Sequence, residues 1–213
     1  MEKTVRLIKY SKREEQLNFI THFAGAVLCL FGSVALFIKA AASADPQIMS
    51  ACGIYGISMI ILYTMSGTYH AVKNENLKRF FRIMDHNTIF VLIAGTYTPY
   101  TLITLKGTAG WILFSAEWLF AILGIVLNSI NLEKFKVFSL VCYIAMGWAA
   151  LLAIKPLIAG LSTGALVFLI AGGVAYTAGI YFYGVKKPYY HAIWHFFVLL
   201  GTVLQFVSIL MIF

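Results

Sequence analysis

Apolar residues in this chain gather into seven stretches of spanning length, each ended by a short polar break. They run over Leu17–Ala40, Gln47–Val72, Asp85–Leu105, Trp111–Ile130, Val137–Ile154, Thr163–Gly184 and Tyr190–Phe213. A helix needs about 20 apolar residues to cross a hydrocarbon core of ~30 Å. The breaks carry helix stoppers and water-facing residues: Asp45-Pro46, Lys73 to Met84, Lys106-Gly107, Asn131 to Lys136, Lys155-Pro156 and Lys186-Lys187-Pro188. None leaves room for a separate folded domain. The pattern predicts an all-α membrane protein, a seven-transmembrane helix bundle, with residues 17–213 as one membrane domain after a basic cytosolic segment over residues 1–16.

Composition agrees. Hydrophobic residues make up 61% of the 213 and charged residues 11%, where a soluble domain has about 45–50% and about 25%. A net charge of +8 would suit nucleic acid in a soluble protein; here its distribution reports orientation instead. With the N-terminus cytosolic, the inner segments hold Lys3, Arg6, Lys9, Lys12, Arg13, Lys73, Lys78, Arg79, Arg82, Lys134, Lys136, Lys186 and Lys187. The outer segments keep only Lys39, Lys106 and Lys155. That excess follows the positive-inside rule and places the C-terminus outside. The expected setting is the cell membrane, as a multi-pass protein whose partners are membrane lipids and not nucleic acid. The sequence leaves the oligomeric state open. The first span is too long and its leader too polar for a cleavable signal peptide. Cys29, Cys52 and Cys142 lie scattered in apolar runs without C-x-x-C spacing and read as small buried hydrophobes.

All five histidines lie near span ends on the predicted cytosolic side: His22, His70, His86, His191 and His195. Ionisable groups are costly in a bilayer, so such a cluster at one depth marks a functional site. Residues three, four or seven apart share a helix face. His191 and His195 therefore form an i,i+4 pair, Ser66 and His70 another, and Glu15, Asn18 and His22 a stripe. With His70 as a third imidazole, the set matches a catalytic zinc site of three protein ligands plus water. Zinc lowers the pKa of such a water to about 7, and Asp85 can then act as general base and later proton donor. Ser66 can hydrogen-bond the water or a developing oxyanion. His22, His86, Asn18 and Glu15 are expected around the ligands. Imidazole also suits iron, copper and nickel. Bland roles fit the same residues: Asp85, at the predicted start of the third helix, suits the helix dipole, and Ser66 suits close helix packing.

Four blocks together resemble the hemolysin III group of the progestin and adipoQ receptor superfamily, which includes the adiponectin receptors and is related to alkaline ceramidases. They are Glu15-x-x-Asn18-x-x-x-His22, Ser66-x-x-x-His70, Asp85-His86 leading into Ile93-Ala-Gly-Thr-Tyr-Thr-Pro99, and His191-x-x-x-His195 followed by Phe-Val-Leu-Leu-Gly. They follow the order of that group from the first span to the last. The resemblance implies zinc (Zn2+) held by His70, His191 and His195, with Asp85 and Ser66 beside the bound water, and seven spans with the N-terminus inside. Gln205 stands where related chains often carry another polar residue such as histidine.

Three functions are open at this point. The first is a metal-dependent hydrolase acting on a membrane-lipid amide or ester from the cytosolic side, ceramidase-like in kind. The second is a non-enzymatic sensor of lipid or membrane fluidity with structural zinc. The third is a pore-forming cytolysin, although the spans show no continuous polar stripe for a water-filled channel. Away from the cluster, Glu117 falls inside the fourth span, where a carboxylate is protonated, paired with Lys106 or Lys155, or part of a polar pathway; a structural or interfacial role is expected. Pro99 is expected to kink the third helix.

Overall fold

The structure, a computed structural model, describes residues 5–213; Lys3 of the basic leader lies outside the described residues. Helix α1 (Lys12–Ala42) starts at Ser11, whose side chain takes the Glu14 N–H while Glu14 returns a bond to the Ser11 N–H. This reciprocal box satisfies two backbone donors that a helix start otherwise leaves free. Helix α2 (Pro46–Ala71) starts at Asp45, whose carboxylate accepts from Gln47 and Ile48, with Pro46 where its missing N–H does no harm. Helix α3 (Glu75–Pro99) is capped by Asn74. Helices α4 (Gly107–Gly147), α5 (Ile154–Gly160), α6 (Thr163–Gly184) and α7 (Tyr190–Leu210) come next, with a 3-10 turn over Ala149–Ala153.

Six helical runs among the described residues are long and apolar enough to cross a membrane. Their outer faces expose Phe31, Ile38, Leu119 and Leu152, the last at 87%, while Asn18, Ser66, Asn128, His195 and Ser208 are wholly buried. Polar inside and apolar outside is the arrangement a lipid solvent requires.

Two expected boundaries move. Helix α3 begins ten residues before Asp85 because Glu75–Met84, polar enough to read as a break, is amphipathic: Leu77 and Phe80 are exposed while Arg82 is buried. Asp85 thus lies nearly three turns inside α3, beyond the first turn where the helix dipole acts. At the other end, Pro99 cannot donate a backbone hydrogen bond, and from Tyr100 to Leu105 the chain winds as a π-helix. The expected kink takes the form of a change of pitch. Gly110 packs against this turn so closely that a Cβ there would collide with the Thr101 carbonyl oxygen. Gly110→Ala is expected to destabilise the protein by about 1–3 kcal/mol, the usual range for overpacking. Thermal unfolding in detergent reads this as a lower Tm, and an unchanged Tm would contradict the contact.

The fourth and fifth expected spans fall within a single helical run, Gly107–Gly160, of 54 residues. Asn131 interrupts it with φ −160° and ψ 93°, and its side chain caps the second arm by accepting from the Lys134 N–H at 3.0 Å. Asn128 and Ser139 would stand about 16 Å apart along a straight helix, yet their side chains are hydrogen-bonded at 2.7 Å. Ala121 and Met146 likewise pack in one cluster with Phe90. The chain therefore folds back on itself at Asn131, and both arms lie against α3.

Deep in the bundle, Tyr63 donates to Thr202 Oγ1 at 2.8 Å and Tyr176 pairs with the same oxygen at 2.8 Å. Thr202 in turn donates to the Val198 carbonyl. Helices α2, α6 and α7 are thereby joined at one hydroxyl.

Candidate metal centre

The last turn of α2 carries His70, and the first two turns of α7 carry His191 and His195. One ring nitrogen from each lies within 4.8 Å of the others, and the ring centroids are 4.4–5.2 Å apart. The start of α7 is fixed from α1: Glu14 accepts the N–H of Tyr189 at 2.9 Å, where the chain takes a left-handed turn with φ 66°.

Hydrogen bonding orients two of the rings. His70 Nδ1 lies 2.7 Å from Glu15 Oε2, and the other oxygen of Glu15 takes the Lys78 ammonium at 2.6 Å. A carboxylate only accepts, so His70 carries its proton on Nδ1. Thr21 Oγ1 lies 2.9 and 3.0 Å from the carbonyls of Leu17 and Asn18, to which it donates, and 3.1 Å from His195 Nδ1. That hydroxyl accepts from His195 Nδ1–H. Both rings are left with an Nε2 lone pair.

The Nε2 atoms of His70, His191 and His195 are all buried, and none has a hydrogen-bond partner among the described residues. A buried polar atom left unpaired costs about 1–3 kcal/mol. Three converging imidazole lone pairs, two backed by outer hydrogen bonds, are what a divalent transition metal takes from a protein. The residues fit the implied metal.

The other expected residues take distinct places. The His22 ring stacks on His195, centroids 3.5 Å apart and planes 21° from parallel, and both its nitrogens are unpartnered. Asn18 and Ser66 are fully buried, and neither side chain has a hydrogen-bond partner among the described residues. Asp85 is 6% exposed, has no ion-pair partner among the described residues, and lines a cavity together with His22. His86 stands apart from the three grouped histidines; its backbone carbonyl accepts from the Tyr143 hydroxyl at 2.8 Å. Glu117 is buried in the face of α4 that meets α3, with no ion pair to Lys106 or Lys155 among the described residues.

The cavity, of about 140 Å³, runs from His22 and Asp85 past Leu92, Ile144 and Ile180 to Gln205. Its walls come from α3, the second arm of α4, α6 and α7, and they are mainly apolar. Ionisable groups, His22 and Asp85, sit at one end, and Gln205 at the other.

Sequence reasoning missed Tyr10 and Thr21. The Tyr10 ring stacks on His191 with centroids 5.1 Å apart and lies 5.8 Å from His70. Burial first, then the nearby Tyr69, Asp85 and Glu15, hold its phenol above the ordinary range, so a neutral ring faces the imidazoles. The available signal was slight: Tyr10 is the one aromatic residue in positions 1–16. Thr21 gave none, since a threonine one turn into an apolar run usually bonds its own helix.

A family described as haemolysin-III related matches residues 10–206. Hemolysin-3 of Bacillus cereus is 41% identical over 210 residues, covering 98% of this chain and 95% of that protein. The Hemolysin-3 homolog of Bacillus subtilis (strain 168) is 40% identical over 202 residues, covering 94% and 95%. The monocyte to macrophage differentiation factor of Homo sapiens is 29% identical over 163 residues, covering 73% and 67%. No solved structure matches the chain.

Proposed function

This chain belongs to the haemolysin-III related family, and from that premise we propose that it is a zinc-dependent hydrolase of a membrane-lipid amide or ester. In this reading His70, His191 and His195 hold the metal through Nε2. The observation that carries it is the grouping of three histidines whose ligand nitrogens lie within 4.8 Å of one another, with all three Nε2 atoms buried and unpartnered among the described residues. Zinc, when bound, supplies a Lewis acid and lowers the pKa of a coordinated water. Asp85, at the polar end of the cavity, takes the proton from the attacking water and returns it to the leaving group. Ser66, one turn before His70, donates its free hydroxyl to the oxygen that gains charge. The apolar cavity would hold the acyl chain, with Asp85 and His22 at the end nearest the reacting carbonyl.

The chain is further read as crossing the membrane seven times, with the N-terminus cytosolic and the C-terminus outside. The reversal at Asn131 and the concentration of basic residues on one side support this. The cell membrane is its proposed location. Lysis, the activity in the name of the Bacillus cereus relative, finds less support as a direct pore, because the cavity wall is apolar where a water-filled channel needs polar lining. A sensor with structural zinc would call for four closed protein ligands, and three are grouped here.

Elemental analysis of the purified protein is expected to find one zinc per chain. Glu15→Gln, which removes the charged acceptor behind His70, is expected to weaken zinc by about 10–100-fold, the usual effect of losing such an outer partner. Protein purified in zinc-containing buffer that holds no metal would overturn the proposal.

A further inference from the structure

Residues 5–11 precede the first helix, and nothing in the proposed chemistry requires them, yet they are fastened at both ends. At one end, Val5 is 7% exposed and the Arg6 carbonyl accepts from Arg82 Nη1. Arg82 also pairs with Glu133, beside the reversal in α4, at 2.6 Å. At the other end, Ser11 and Glu14 exchange hydrogen bonds of 2.9 and 3.3 Å, and Glu14 reaches across to the Tyr189 N–H at the start of α7. The segment thus runs from the α3–α4 side of the bundle to the α1–α7 side. Tyr10, next to the cap residue Ser11, is carried over the histidines and stacks on His191. The apolar cavity is reached past His22, which stacks on His195 and lines the cavity together with Asp85.

We propose that residues 5–11 are a plug that closes the histidine site to the aqueous side, with Tyr10 as its closing residue. Lipid then reaches the site through the apolar cavity, while metal enters and leaves past Tyr10. The geometry suits this division. A lipid chain gains from apolar walls, whereas a hydrated cation meets no favourable surface there. One aromatic stack holds Tyr10 in place, enough to slow exchange and weak enough to open. The metal half of this inference rests on the reading under Proposed function; the plug itself does not.

The test has two arms. In the first, zinc-loaded protein is mixed with excess chelator and zinc release is tracked in time. Wild type and Tyr10→Phe are expected to release slowly. Tyr10→Ala is expected to release about tenfold faster, a factor near the upper range for one aromatic contact, with the same zinc content at the start. Glu14→Ala, which removes the acceptors for the Tyr189 and Ser11 N–H groups without touching the histidines, is expected to accelerate release as well and serves should Tyr10→Ala fold poorly. In the second arm, Cys29, Cys52 and Cys142 are replaced by alanine and Ser66→Cys is labelled by a small charged methanethiosulfonate in metal-free protein. Labelling is expected to be about tenfold faster with Tyr10→Ala, on the same contact. Equal labelling rates with and without Tyr10 would overturn the plug whatever the metal does. Gated labelling in a protein that takes up no zinc when zinc is supplied would leave the plug standing and sink the metal reading alone.

Discussion

Asparagine in place of Asp85 is expected to slow hydrolysis of a lipid amide or ester by about 10²–10⁴-fold, the range for a positioned general base, with zinc content unchanged. The expectation stems from where α3 begins. A carboxylate in the first helical turn would be explained by the dipole, but α3 starts at Glu75 and Asp85 is out of that reach. Nor does an ion pair account for it, since the nearby Arg82 is engaged by Glu133 and Arg6. A 6% exposed carboxylate at the rim of an apolar cavity has no structural partner to explain it among the described residues, and proton transfer is the role proposed for it. Asparagine keeps the shape and removes the basicity. Full hydrolysis by a zinc-replete Asp85→Asn protein would remove Asp85 from the chemistry.

Alanine at His191 is expected to reduce zinc binding by more than the roughly 10–100-fold that accompanies loss of an outer partner, because it deletes one of three ligands. His191 is the informative choice. Its Nδ1 has no carboxylate or hydroxyl behind it comparable to Glu15 or Thr21, and Tyr10 is the ring it stacks on. His86→Ala is the matched comparison, since His86 stands outside the group and its variant is expected to keep its metal. Should the two variants bind zinc equally, the grouping would not be a metal site. Circular dichroism is expected to report the same helix content in both.

Much of this could be read from the chain. The grouping of His70, His191 and His195 was legible in span ends and i,i+4 spacing, because a helix that must cross a membrane leaves little freedom for where it begins and ends. The i,i+4 pairs found their partners for the same reason. Boundaries were less legible. Glu75–Met84 carries Lys78, Arg79 and Arg82, and charge alone reads as a break; its helical period shows only once Leu77 and Phe80 are seen facing outward together. The turn between the two arms of α4 stays helical on both sides of Asn131, so a single residue replaces the expected six-residue loop. Tyr10 lies beyond any helical period, and its contact with His191, 181 positions along the chain, comes only from folding.

Thr202 holds the frame on which the three histidines stand. Since one hydroxyl bolts α2, α6 and α7 together in the interior, the helices bearing His70, His191 and His195 are held in register without help from an ion. In small zinc-finger domains the cation is the keystone and its loss is unfolding. Here the helices are joined by side-chain hydrogen bonds, so a cation in the proposed site would be a guest, lost and regained within one unbroken scaffold.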